Sequence, residues 1–226
     1  MNTWTRIKAD PARMASIFGL AGTGILSLAM LVTGLAYSGT TGERYSPLNH
    51  WVSELGEVGV SELAAVFNIG LIIGGACLAV FMVGVALTLE GRVSWFFGAV
   101  GLVSGASGLL VGVFPMNNLE AHASVALLFF ASGLLAVLIL SFYAFTAPSA
   151  TYPRWMALPG LPVIAAFVLF GREVMLMAPM SVQSFAAPEP GTRLDFWPVA
   201  ATEWLVTAAV ILWVIAVSLR LRSKRD

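Results

Sequence analysis

Most of the residues in this chain that could do chemistry crowd into one stretch, YSPLNHWVSELGE, running from Tyr45 to Glu57. It supplies His50, Ser53 and Glu54, and the chain's only other histidine is His122. Three chemistries suit that set. His50, Glu54 and His122 make the two-histidine, one-glutamate ligand count of catalytic zinc. Ser53, with His50 three positions before it and Glu54 beside it, has the residue types of a serine nucleophile and its helpers. Triads, however, are defined by geometry and not by spacing. His50 and His122 are also the two imidazoles that a bis-histidine haem needs. No local motif frames any of the three, so no cofactor and no metal is assigned. His50, Ser53, Glu54 and His122 stand as the candidates for a catalytic role.

A second group of polar residues is predicted at the same depth of the fold. Asn68 lies early in the second long apolar stretch. Asn117 and Asn118 follow Pro115, with Glu120 and His122 just after them. Arg172 and Glu173 close the fifth stretch, and Glu203 opens the sixth. Ionisable residues inside a bilayer are costly and usually face a bundle interior or a wet cavity. Asn68, Asn118, Arg172, Glu173 and Glu203 are therefore the candidates for substrate binding. Arginine suits bidentate recognition of phosphate or carboxylate, so a lipid or lipid-linked substrate is the expected ligand. Each residue also has a structural reading. Asn118 can cap a helix whose positive end favours Glu120, Arg172 can pair with Glu203, Glu173 can face headgroups, and both histidines can be interfacial hydrogen-bonders.

The elements that must position these residues are apolar helices. The chain has 226 residues, 58% hydrophobic and only 11% charged, with a mean hydropathy of +0.88. A soluble domain carries roughly 25% charged residues. Formal net charge is zero, which gives no field for nucleic acid. A lone cysteine, Cys77, excludes an internal disulfide framework. A helix needs about 20 apolar residues to cross a bilayer, and six stretches qualify, at about 15–37, 62–89, 93–114, 120–146, 155–177 and 198–219. The first has the small residues of a cleavage site after it, but it is too long for a signal-peptide core and reads as a retained anchor. The fold class is all-α: a single domain of six transmembrane helices.

Nine of the twelve Lys and Arg residues fall on one side of that arrangement: Arg6, Lys8, Arg13, Arg92, Arg154, Arg220, Arg222, Lys224 and Arg225. Only Arg44 and Arg193 lie in the opposite loops, beside Glu43, Glu54, Glu57, Glu189 and Asp195. The positive-inside rule makes both termini cytoplasmic. The two long loops, 38–61 and 178–197, are then external. Within the first, Ser46-Pro47 reads as a helix start and Gly56 as its stop. Leu48, Trp51, Val52 and Leu55 form an apolar stripe. An amphipathic helix over about 47–55, lying on or dipping into the outer leaflet, is predicted to roof an outward-facing polar pocket, and Ser61-Glu62 is a second cap opening helix 2. Gly101, Gly105, Gly108 and Gly112 on helix 3, with Gly70 and Gly74 on helix 2, repeat the small-xxx-small pattern of close helix packing. Those faces serve the chain itself, or else a membrane-protein partner or a second copy.

Three motif-bearing segments carry a resemblance: SPLNHWVSELGE, AAVFNIGLIIGG and GLLVGVFPMNNLEAHA. Together they resemble a prokaryotic six-helix membrane family, domain-of-unknown-function family 998. Its pattern matches here at Ser53-Glu54-Leu55-Gly56, Phe67-Asn68, Phe114-Pro115 and His122. The first of these is also distantly similar to a loop of eukaryotic membrane proteins that remodel glycolipid anchors. The resemblance implies a prokaryotic cell membrane and makes the outer polar cluster a family feature, but it names no substrate. Three classes of function stay open: a pocket protein for a lipid or lipid-linked molecule, an accessory subunit of a larger membrane complex, and a transporter. The last would show paired broken helices near the midplane. Pro159 and Pro162 interrupt only one.

Overall fold

A computed structural model describes residues 10–177, 181–188 and 191–223. Six helices in it are long and apolar enough to cross a membrane. Their α-helical parts are α1 (Pro11–Ala36), α2 (Ala64–Ala86), α3 (Arg92–Val113), α4 (Leu119–Thr146), α5 (Gly160–Leu176) and α6 (Pro198–Arg222). The described residues hold no β-strand. Of the charges used for orientation, Arg6, Lys8, Lys224, Arg225 and Glu189 lie outside the described residues.

Local chemistry sets the helix ends. Asp10 accepts the Arg13 amide at 3.1 Å, and Pro11 follows it at the first helical position. Asn118 caps α4 by accepting the Ala121 amide at 3.3 Å. Pro198 opens α6. Gly91, at φ +69°, turns the chain from α2 into α3, in a region that other residues rarely adopt. The predicted cap on helix 2 is not formed. Ser61 is buried without a hydrogen-bond partner for its hydroxyl. α2 starts at Ala64 after an uncapped Leu63, and Glu62 instead accepts Ser38's amide and hydroxyl.

Each helix packs against its neighbours in sequence, and α6 closes the ring onto α1. The side where α1 begins and α6 ends is called proximal here, and the side of the two long loops distal. Small residues let the helices of the first half approach closely. A Cβ on Gly105 would lie 2.5 Å from the Ala79 backbone, and one on Gly75 2.2 Å from that of Leu109. Gly70 meets Ala29, and Gly74 meets Leu26. The glycine faces of α2 and α3 are thus filled from within the chain.

The proximal half of the ring is filled. Phe81, Phe97, Leu140, Tyr152, Met156 and Trp213 are each at most 1% exposed in one continuous core, with Phe81 edge-on to Trp213. Arg220 seals that end, donating to the Thr151 carbonyl at 3.0 Å and lying over the Trp155 ring. The distal half is not filled by helix side chains alone. It is closed by the first long loop, and the polar residues gather there.

Candidate functional site

The stretch 46–57 does not lie on a membrane surface as one helix. Residues 47–49 form a turn, Trp51 is extended (φ −61°, ψ 147°), and Val52–Gly56 is a separate 3-10 helix. The reason is a competition for backbone donors. The Trp51 amide goes to the Glu54 carboxylate at 2.8 Å and the Val52 amide to the Glu203 carboxylate at 2.7 Å, so neither joins an α-helical ladder. The apolar stripe is buried in protein, not in lipid: Trp51 is 4% exposed and Leu55 fully buried. Leu55 packs with Met30 and Phe67, and Trp51 with Met116 and Val199. Only Leu48 stays largely exposed. The segment is a plug in the distal mouth of the ring.

Three further ties hold the plug. Asn68 donates to the Gly56 carbonyl at 2.9 Å, and Gly56 has no room for a side chain there. Asn117 brackets Val58, accepting its amide at 2.8 Å and donating to its carbonyl at 2.9 Å. Trp204 donates to the Tyr45 hydroxyl at 2.9 Å, and Tyr45 donates to the Trp51 carbonyl at 2.8 Å.

Two spaces meet at the plug. Below it lies a cavity of about 100 Å³ in the ring interior, walled by α1, α2, α3, α4 and α6. Leu26, Leu71, Phe129, Val210 and Ile211 line it and also line a second, deeper cavity of about 70 Å³. Its polar groups are Ser53 from the plug, His122 from α4 and, with Thr207, Glu203 from α6. His122 Nδ1 lies 2.8 Å from the Phe114 carbonyl oxygen. That oxygen can only accept, so Nδ1 carries the proton, and the neutral ring keeps a lone pair on Nε2. Ser53 makes no side-chain hydrogen bond. Among the described residues, no lysine or arginine lines this cavity and no cation pairs with Glu203.

Above the plug lies a vestibule of about 350 Å³ between the two distal loops. On its wall Glu54, fully buried, takes Arg193 in a two-pronged ion pair, 2.6 Å at the closer contact. Burial pushes the Glu54 carboxyl up, and the Arg193 hydrogen bonds oppose that. Arg193 also donates to the Asn49 carbonyl at 2.6 Å, while Asn49 donates to Leu194 and Trp197 donates to Leu48, both at 2.8 Å. These contacts join the two loops into one cap. His50 is 1% exposed, between the Tyr37 and Tyr45 rings. His50 Nδ1 lies 2.7 Å from the Asn49 side-chain oxygen and 3.3 Å from the Ser46 amide nitrogen, while Asn49's amide nitrogen is committed to Leu194. His50 Nε2 is left buried without a partner. Burial, then Arg193, lowers the His50 pKa to about 4.

The structure therefore divides the sequence-predicted residues. Ser53 does not join His50 and Glu54. The backbone break at Trp51 removes their helical spacing, and the 3-10 turn sends neighbouring side chains about 120° apart. Ser53 instead shares a cavity with His122 and Glu203. The three residues of the zinc reading are not assembled: His50 and Glu54 are engaged above the plug, and His122 sits below it. No group of three metal-ligating side chains occurs among the described residues. The two histidines of a haem site are likewise on opposite sides. Arg172 is mostly exposed and pairs with adjacent Glu173, so an Arg172–Glu203 pair is not formed. Neither Arg172 nor Glu173 lines any of these cavities. Asn68 and Asn118 anchor backbone.

Sequence reasoning missed Tyr37 and the role of Arg193. The available signal was that Arg193 is one of two basic residues in otherwise acidic loops.

The family model described as "Protein of unknown function (DUF998)" matches residues 14–220. No curated protein and no solved structure matches the chain significantly. The match takes in all six membrane-spanning helices but for the ends of the first and last, together with the plug, both distal loops and the two cavities. The chain is a multi-pass membrane protein and belongs to the DUF998 family.

Proposed function

We propose that this protein binds a neutral membrane amphiphile in the ring interior, its apolar part between α1, α2, α4 and α6 and its polar end under the plug. The observation that carries this reading is the make-up of the inner cavity. Its walls are apolar, and its polar end offers Ser53, the His122 Nε2 lone pair and Glu203. An apolar cavity of about 150 Å³ accepts a benzene-sized molecule. The two adjoining cavities offer comparable space for a short run of chain. Without a cation on the walls, the polar end favours a hydrogen-bond donor, such as an alcohol or amide, over a phosphate. The charge asymmetry of the loops supports cytoplasmic termini, which puts the plug on the outer side, and the family resemblance supports the prokaryotic cell membrane as the location. A complex partner or a second copy would have to use another surface, because the glycine faces of α2 and α3 pack internally.

The test is mass spectrometry of what co-purifies with the full chain in mild detergent. A neutral amphiphile is expected at near-stoichiometric amount. Ala126→Phe, which fills the inner cavity, should abolish its retention while the protein stays monodisperse. Equal retention by wild type and A126F, or no bound amphiphile at all, defeats the reading.

A further inference from the structure

We infer that the distal vestibule is a binding site for a primary ammonium group, separate from the inner cavity and independent of what occupies it. The first observation is charge. Among the described residues, Glu43, Glu54 and Glu57 face this space with one cation, Arg193, and Arg193 is spent on Glu54. Glu43 has one carboxylate oxygen engaged, by the amide and hydroxyl of Thr41 at 2.9 and 2.6 Å. Glu57 has no side-chain hydrogen bond. Two carboxylates thus remain without a counter-charge.

The second observation is Tyr37. It lines the same vestibule, is only 4% exposed, and its buried hydroxyl has no hydrogen-bond partner. A buried polar atom left unpaired costs free energy of the order of a lost hydrogen bond, and no described residue supplies this phenol with a partner.

The chemistry selects the ligand. An ammonium group has three donors and no acceptor. Tyr37, Glu43 and Glu57 line the space together, and the Tyr37 oxygen, the second Glu43 oxygen and the Glu57 carboxylate are all able to accept. A hard divalent ion would need six or more oxygen ligands, or several fixed carboxylates. No three such side chains are close enough together among the described residues. At about 350 Å³, the vestibule exceeds one ammonium group and admits the small polar body attached to it. That amine could be free in solution or be the headgroup of an aminophospholipid in the adjoining leaflet.

The experiment titrates the purified full chain with ethanolamine, choline and ethylene glycol at constant ionic strength, following tryptophan fluorescence and calorimetric heat. A parallel arm compares nanodiscs of phosphatidylethanolamine with nanodiscs of phosphatidylcholine. Saturable binding of ethanolamine is expected with a dissociation constant on the order of 1 mM, weaker binding of choline, and none of the glycol. Glu57→Gln should weaken ethanolamine about tenfold, and Tyr37→Phe several-fold, since each removes a hydrogen bond to a charged group. Binding confined to the phosphatidylethanolamine nanodiscs, and lost in both variants, supports the site and identifies the lipid as the source. Three outcomes overturn it: no binding in either arm, equal response to the glycol, or affinity unchanged in both variants. Retention of the inner amphiphile is read separately, so one conclusion can fail without the other.

Discussion

At the residue scale, His50 carries a pH dependence that the plug should display. In the unfolded chain its imidazole titrates near 6.5, and in the fold near 4. Protonation therefore favours the unfolded state across that window. The stability His50 contributes is present above about pH 6.5 and is lost as pH falls toward 4. The amount is on the order of 1–2 kcal/mol, below the full shift because solvent screening weakens it. Glu54 and Glu57 act with the opposite sign. Burial raises both carboxyls, with the Glu54 charge adding to the effect on Glu57 and Arg193 opposing both, so their protonation favours the fold. The difference between wild type and His50→Gln isolates the histidine. Thermal unfolding in detergent from pH 7 to pH 4 should show wild type losing more stability than H50Q. Parallel profiles would show that His50 is not held neutral by the fold.

The elements divide into those legible in the sequence and those that were not. The six helices were legible because lipid leaves the backbone one way to satisfy its donors over about 20 apolar residues. The glycine steps on α3 were legible too, and the structure gives them mates: Gly101 on Met82, Gly105 on Ala79, Gly112 on Leu71. The plug was not legible. Its local sequence is that of an amphipathic helix, with cap, stripe and stop. What breaks that helix is Glu203, which takes the Val52 amide from 151 positions away; Glu54 then takes that of Trp51. No window of local sequence contains that contest. The close approach of α2 and α3 gives a contrast between two glycines. Gly105→Ala puts a methyl 2.5 Å from the Ala79 backbone and should cost about 1–3 kcal/mol. Gly24→Ala meets nothing within 4 Å and should be neutral or stabilising by up to about 1 kcal/mol. Melting temperatures of the two variants check this, and a G105A as stable as G24A would mean that the α2–α3 contact is looser than described.

For the whole molecule, the ring is closed in two different ways. Its proximal half closes on large apolar side chains, its distal half on a loop held by polar contacts. One ion pair, Glu54 with Arg193, spans 139 positions and joins the two distal loops over the ring's mouth. The sequence placed both residues in external loops and could not pair them, because loop length alone sets no register between them. Removing one partner leaves a buried charge uncompensated, at about 3–5 kcal/mol, whereas replacing both costs far less. Arg193→Met should therefore destabilise strongly. Glu54→Gln with Arg193→Met should recover most of the loss, since a glutamine oxygen can still accept the Trp51 amide. The damage should also be local: helical circular dichroism unchanged in R193M, but faster proteolysis within 38–61 and 178–197. If the double variant is as unstable as R193M, the pair is not what closes the cap. If proteolysis reaches the helices as well, the distal cap and the helical ring are one cooperative unit, and the plug is as integral to the fold as the proximal core.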